Sequence, residues 1–126
     1  MSAARRGFTF IEILVVMIVI GVLAGLAYAR LQSQKEKAIV AGMLSDLRAI
    51  AEEQEGHYFQ NRTYTSDLLA LNARLSPGDT MVIVEATSVG WSGRIYNPRS
   101  PKQCYILVGR AVPVGSATQD GMINCS

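Results

Sequence analysis

Apolar and polar positions divide the chain into three stretches. Over residues 8–29 the sequence runs for 22 positions with one charged side chain, Glu12. At ~1.5 Å per residue this run makes ~33 Å of helix, enough to cross a hydrocarbon core of ~30 Å. From Arg30 onwards the apolar positions thin to Leu31, Ala38, Ile39, Met43, Leu44, Leu47, Ile50 and Ala51, at three- and four-residue spacings. Lys35, Glu36, Lys37, Asp46, Arg48, Glu52, Glu53 and Glu55 lie between them, and the pattern reads as an amphipathic helix. Pro77 is the first proline, so one helix is predicted from Phe8 to about Tyr58, roughly 75 Å long. Thr65-Ser66-Asp67 reads as the cap of a short helical turn carrying Leu68, Leu69 and Leu71. After the turn Ser76-Pro77-Gly78-Asp79 the period changes. Residues 80–87, 90–96 and 103–109 read as strands, with connections short enough for an antiparallel meander. Residues 111–126 have turn composition and are expected to rest on the sheet, tied by Cys125.

Composition narrows the function classes. Beyond the apolar run roughly 97 residues are left, enough for one modest core of a size that often gains from a covalent staple. The chain has 12 Lys+Arg and 10 Asp+Glu, and two of the arginines, Arg5 and Arg6, precede the run. Without them the side-chain charge is 10 minus 10, or zero, which gives no general case for binding nucleic acid or another polyanion. Cys104 and Cys125 form no CxxC pair and have no histidine nearby, which argues against metal or redox chemistry. Beyond a membrane segment a structural disulfide is the natural reading, with two free buried thiols as the alternative.

Glu12 is the residue that needs explaining, because a carboxylate at the centre of a spanning helix costs roughly 2.5–3.5 kcal/mol on insertion scales. A secretory signal peptide would use Arg5-Arg6, the apolar run and Ala27-Tyr28-Ala29 as a cleavage site, and Arg5-Arg6-Gly7-Phe8 hints at a twin-arginine signal. Such a core normally has about 7–15 residues without an acid. A plain single-span anchor would leave Glu12 incidental. The stretch Gly7-Phe8-Thr9-Phe10-Ile11-Glu12, followed by Ile13-Leu14-Val15-Val16, accounts for every odd feature together: it resembles the processing and assembly motif of type IV prepilins and related pseudopilins. Lys35-Glu36-Lys37-Ala38, Ser45-Asp46-Leu47-Arg48 and Tyr58-Phe59-Gln60-Asn61-Arg62-Thr63-Tyr64 are similar to the exposed half and end of a pilin helix. The resemblance covers residues 5–70 and is only architectural afterwards.

The resemblance implies a leader, residues 1–7, cut after Gly7 by a prepilin peptidase, and N-methylation of Phe8. Glu12 becomes the fifth mature residue, whose carboxylate pairs with the N-terminal amine of a neighbouring subunit and sets the register of assembly. Residues 8–29 then form the transmembrane and filament-core half of the helix, and residues 30–126 the head. Gly21-Val22-Leu23-Ala24-Gly25 is a small-xxx-small pattern that lets helices approach closely. Where many members of the family have proline, this chain has Ala29, so any loosening of the helix in a filament rests on Gly21 and Gly25, each costing ~1 kcal/mol of helix propensity.

The expected fold is α+β, a pilin-like ladle: a long N-terminal helix on a three- or four-stranded antiparallel sheet, with a disulfide near the C-terminus. The expected function is structural. The chain would wait in the inner membrane and then join identical subunits in an extracellular type IV pilus, raised by separate pilus assembly machinery. The alternative is a type II secretion pseudopilin. Cys104 and Cys125 lean towards the pilus, because the major pseudopilins of the resemblance staple this region with calcium, and Asp79, Glu85 and Asp120 are scattered in sequence. A rival of another class is a soluble periplasmic binding domain released after Ala29. No enzyme is expected: there is no nucleophile elbow, phosphate loop or two-histidine spacing. His57, beside Glu52, Glu53 and Glu55, reads as the end of a solvated helix face rather than a metal site, and no cofactor is implied. Asn61 and Asn124 sit in N-x-[ST] sequons and Ser126 resembles the modified end of some pilins; adhesion, motility, DNA uptake and electron transfer are not distinguished by sequence.

The mature protein is expected to begin at a methylated Phe8 and to contain 119 residues (126 minus 7). Intact-mass spectrometry checks this, and a mass starting at Arg30 would establish the signal-peptide reading. A bulky residue in place of Gly7 should leave the leader attached.

Overall fold

The structure, a computed structural model, describes residues 7–126; the leader cut expected after Gly7 falls largely outside them. Contacts divide the chain into two units, Met1–Lys35 and Glu36–Ser126. One helix, α1 (Phe10–Asn61, 52 residues), supplies the first unit and opens the second. It starts two residues later than the apolar pattern suggests and ends three residues later. Thr9 stands outside the first turn as its cap, and the Glu12 and Ile13 amides donate to the Thr9 carbonyl. At the other end Arg62 takes the left-handed conformation (φ 59°) and its amide donates to the Tyr58 carbonyl at 2.7 Å, a helix-ending bond that does not need glycine. The helix passes unbroken through Gly21 and Gly25 in the single chain.

In the unit Glu36–Ser126, four strands form one antiparallel sheet: β1 (Thr80–Ala86), β2 (Gly90–Tyr96), β3 (Gln103–Gly109) and β4 (Met122–Cys125), in the order β1-β2-β3-β4. Met43, Leu47 and Ile50 of α1 are buried against the inner face, with Met81, Trp91, Ile95, Cys104 and Ile106 from the strands. Each such side chain contributes roughly 1.5–3 kcal/mol on leaving water. Period-two alternation in β1 would bring Glu85 to this face after Met81 and Ile83. A bulge between Ile83 and Glu85 prevents it, pairing Glu85 with Ser92 and Ala86 with Trp91. Glu85 instead accepts the Val112 amide.

Sequence periodicity missed the fourth strand. The pairs Cys104↔Cys125 and Ile106↔Ile123 add the chain's end to β3, and the Cys104–Cys125 disulfide joins residues directly opposite each other. Residues 110–121 lie over the outer face. The backbone is close enough at Gly115 (φ 54°) that a Cβ would collide with the Tyr105 ring. Ala117 is fully buried, Leu107 is 4% exposed, and Asp120 Oδ1 accepts the Gly109 amide.

The connector 62–79 also departs from expectation. Thr65 and Asp67 do act as local caps, accepting the Asp67 and Leu69 amides, but the segment forms turns rather than a helix. Leu71 is 1% exposed whereas Leu69 is 88% exposed. What secures the connector is polar and comes from α1. Fully buried Gln54 donates to the Thr65 carbonyl at 2.7 Å and accepts the Thr65 amide at 3.0 Å. His57 Nδ1 donates to the Thr63 carbonyl at 2.8 Å, so this histidine ties down a loop instead of facing solvent alone. The Tyr64 ring stacks on Tyr58 with centroids 4.8 Å apart and its hydroxyl donates to Glu55. Burial first, and then the Glu55 carboxylate, push the Tyr64 phenol up to about 12.

Cys104 and Cys125 are 21 positions apart, and closing a loop of that size stabilises by about 3 kcal/mol in the chain-entropy model. Cys125→Ser or reduction is therefore expected to expose residues 110–121 to proteases while α1 stays intact. Limited proteolysis followed by mass spectrometry reads both.

Candidate assembly site

The described residues of the first unit leave their apolar side chains exposed. Phe8 and Phe10 are each 84% exposed and Leu14, at 40%, is the least exposed large apolar side chain of the run. The helix is long and apolar enough to cross a membrane by length and composition. Among the described residues, no atom beyond the immediate chain neighbours and local helix backbone comes within 4 Å of a Cβ placed at Gly7, Gly21 or Gly25, so the two helix glycines present an open strip.

Within this surface Glu12 is not left bare. Its Oε2 accepts the Thr9 amide at 3.0 Å and the Thr9 hydroxyl at 3.1 Å, while the Glu12 amide lies 3.4 Å from the Thr9 hydroxyl oxygen. This is a capping box, Thr9-Phe10-Ile11-Glu12, in which the N-cap hydroxyl and the third helical residue satisfy each other's turn. A negative charge in the first turn also meets the positive end of the helix dipole. Thr9 is the functional neighbour that the sequence reading overlooked, although its signal, a threonine three residues before a glutamate at the head of an apolar run, was legible. The carboxylate is thus held by short bonds inside one turn and faces outward.

The C-terminal acids form no comparable centre. Asp79 accepts from Asn97, Glu85 from the Val112 amide and Asp120 from the Gly109 amide. Among the described residues no group of three His, Cys, Asp or Glu side chains could hold a metal ion. The residues present do not fit the calcium staple of the major pseudopilins; Cys104–Cys125 and the Glu85 and Asp120 bonds fasten the tail. Asn61 spends its side-chain amide on the His57 carbonyl at 3.1 Å, and Ser126 Oγ lies 3.2 Å from Ser116 Oγ.

An apolar, acid-bearing helix continuing onto a four-stranded antiparallel sheet is a pilin-like fold, and residues 2–28 match the Prokaryotic N-terminal methylation motif. Motif and fold together resemble those of prepilin-type proteins. Among named proteins the chain is similar to type II secretion system core protein G. It is 36% identical to that of Dickeya chrysanthemi over 73 residues (58% of this chain, 48% of that protein). It is 38% identical to that of Klebsiella pneumoniae over 72 residues (57% and 51%). With that of Pseudomonas aeruginosa the identity is 36% over 69 residues (55% and 49%). The chain spans about half the length of these curated relatives. The likeness falls on the alternative expectation, a secretion pseudopilin, and not on the extracellular pilus to which the cysteine pair had pointed. The disulfide reports how the tail is fastened, which is a separate matter from the system the helix serves.

Thr9→Val removes the hydroxyl arm of the capping box and keeps the backbone amide. Loss of such a cap costs about 1 kcal/mol. Faster amide exchange at residues 10–13 in micelles is the expected result, with Thr9→Ser restoring protection.

Proposed function

We propose that this protein is a pseudopilin-type subunit of a type II secretion system. It is held in the inner membrane by residues 8–29, cut after Gly7, methylated at Phe8, and polymerised with identical subunits by the secretion machinery into a filament in the periplasm. The observation that carries this reading is the shared likeness to core protein G of several bacteria, and the uncovered apolar helix supports it. In the subunit Glu12 is satisfied by Thr9 and tolerated near the membrane boundary. Packing the helices together removes water, and an ionised carboxylate left unpaired there is strongly disfavoured. The amine freed at Phe8 of a neighbour then replaces Thr9 as its partner, so that only subunits in register neutralise both charges. Gly21 and Gly25 give the close approach that this packing needs.

Deleting the gene in the source bacterium should abolish export of a type II secretion substrate and leave surface filaments in place. Wild-type protein should restore export. Glu12→Ala should insert into the membrane as well as wild type or slightly better, because a costly polar group is gone, yet fail to restore export. Loss of surface pili with export intact would instead support the type IV pilus reading, and full rescue by Glu12→Ala would remove the pairing role.

A further inference from the structure

Two carboxylates converge in the unit Glu36–Ser126 where the connector returns to α1. Asp46 is 8% exposed on the helix; its Oδ2 accepts the Ser76 amide at 2.6 Å and its Oδ1 the Ser76 hydroxyl at 3.1 Å. The next three residues fold back on this point. The Asp79 amide donates to the Ser76 carbonyl at 3.0 Å, and Gly78 has φ 87°, the left-handed third position that a type II turn with proline second requires. The turn thereby delivers Asp79 to the acid that already holds its first residue. Asp79 Oδ1 accepts from Asn97 Nδ2 at 2.5 Å, and Asn97 is itself fixed by the Arg99 amide at 3.0 Å. Asp79 Oδ2 is buried and has no hydrogen-bond partner among the described residues.

A buried oxygen without a donor, beside a second carboxylate whose own donors are fixed, lacks one hydrogen. We propose that Asp46 and Asp79 share a single proton, carried on Asp79 Oδ2 and donated to the Asp46 carboxylate, and that this acid pair is a pH-responsive latch between the 76–79 turn and α1. One O–H then satisfies the orphaned oxygen and removes the repulsion of two like charges. The groups that face the pair are Asp46 from α1, Asp79 from the turn, and Asn97 and Arg99 from the connection after β2. Arg99 opposes the protonated form, but its Nη2 is engaged with the Pro77 carbonyl at 2.7 Å. Burial raises the Asp79 carboxyl above its ordinary 3.8, the Asn97 bond draws it down, and the hydrogen bond and charge of Asp46 raise it again. A cleft of about 370 Å³, lined by Ile39, Gly42, Pro77 and Arg99 among others, opens beside Asp79.

The sign follows from linkage. Between 3.8 and the raised folded value the folded state binds more protons than the unfolded one, so stability is greatest in acid and falls as pH rises through that window. The latch strengthens in acid, opposite to a carboxylate held by a cation. It depends on the fold alone and is independent of the secretion reading.

The test is carbon NMR of the aspartate carboxyls in the full mature chain in micelles, titrated from about pH 3 to about pH 8, with amide exchange at Ser76 corrected for intrinsic rates. Asp79 should titrate above 3.8. Asp46→Asn should lower the Asp79 midpoint. Asp79→Asn, whose amide donates at every pH, should keep Ser76 protected across the range, whereas wild type loses protection as pH rises. An Asp79 midpoint unchanged by Asp46→Asn, or equal pH slopes in wild type and Asp79→Asn, would each overturn the latch. The last comparison holds even if Asp46→Asn does not fold.

Discussion

From Phe8 to Leu26 the first unit presents 14 large apolar side chains, none less than 40% exposed. At roughly 1.5–3 kcal/mol for full burial of each, water contact along this face costs on the order of 20–40 kcal/mol. The whole stability of a domain is about 5–15 kcal/mol. A helix with this face left in water is disfavoured on that scale, and a lipid bilayer or another apolar surface would relieve it. That constraint gives Glu12 its meaning. An acid in such a run is tolerable because Thr9 satisfies it within one turn, and in the proposed assembly one charged partner would take the place of those local bonds.

The remaining unit must fold around a small core without help from the apolar run. Met43, Leu47 and Ile50 supply its helical side, and the surplus of loop is held by side chains reaching backbone groups. Gln54 clasps Thr65, Asp46 holds Ser76, Glu85 takes the Val112 amide and Asp120 that of Gly109. The Cys104–Cys125 bond closes the last strand. At Thr65 and Ser76, where the bonds are part-buried, this matters because a buried backbone group left unpaired costs about 1–3 kcal/mol.

Much of this was legible in the residues. The helix and the spans of β2 and β3 follow from hydrophobic period and turn chemistry, and the cysteine pair from its place beyond a membrane segment. β4 did not, because Met122–Cys125 is too short to show a period and becomes a strand only by pairing with β3. The bulge at Ile83/Glu85 was hidden for a related reason: alternation places Glu85 inward until a partner strand shows the shift. Asp46 and Gln54 were assigned to a solvated face or passed over, since polarity alone does not reveal a buried side chain with a distant backbone partner. Thr9 is different; its capping signal was local and could have been read.

The central claim is that the uncovered helix is buried by identical copies, with Glu12 as its register mark. Cryo-electron microscopy of the assembled filament at side-chain resolution tests it most directly. The account predicts residues 8–29 packed in the filament core, with the Glu12 carboxylate within hydrogen-bonding distance of the Phe8 amine of a neighbouring subunit. A filament joined through the sheet-bearing units, with these helices outside its core or Glu12 still closed on Thr9, would contradict it.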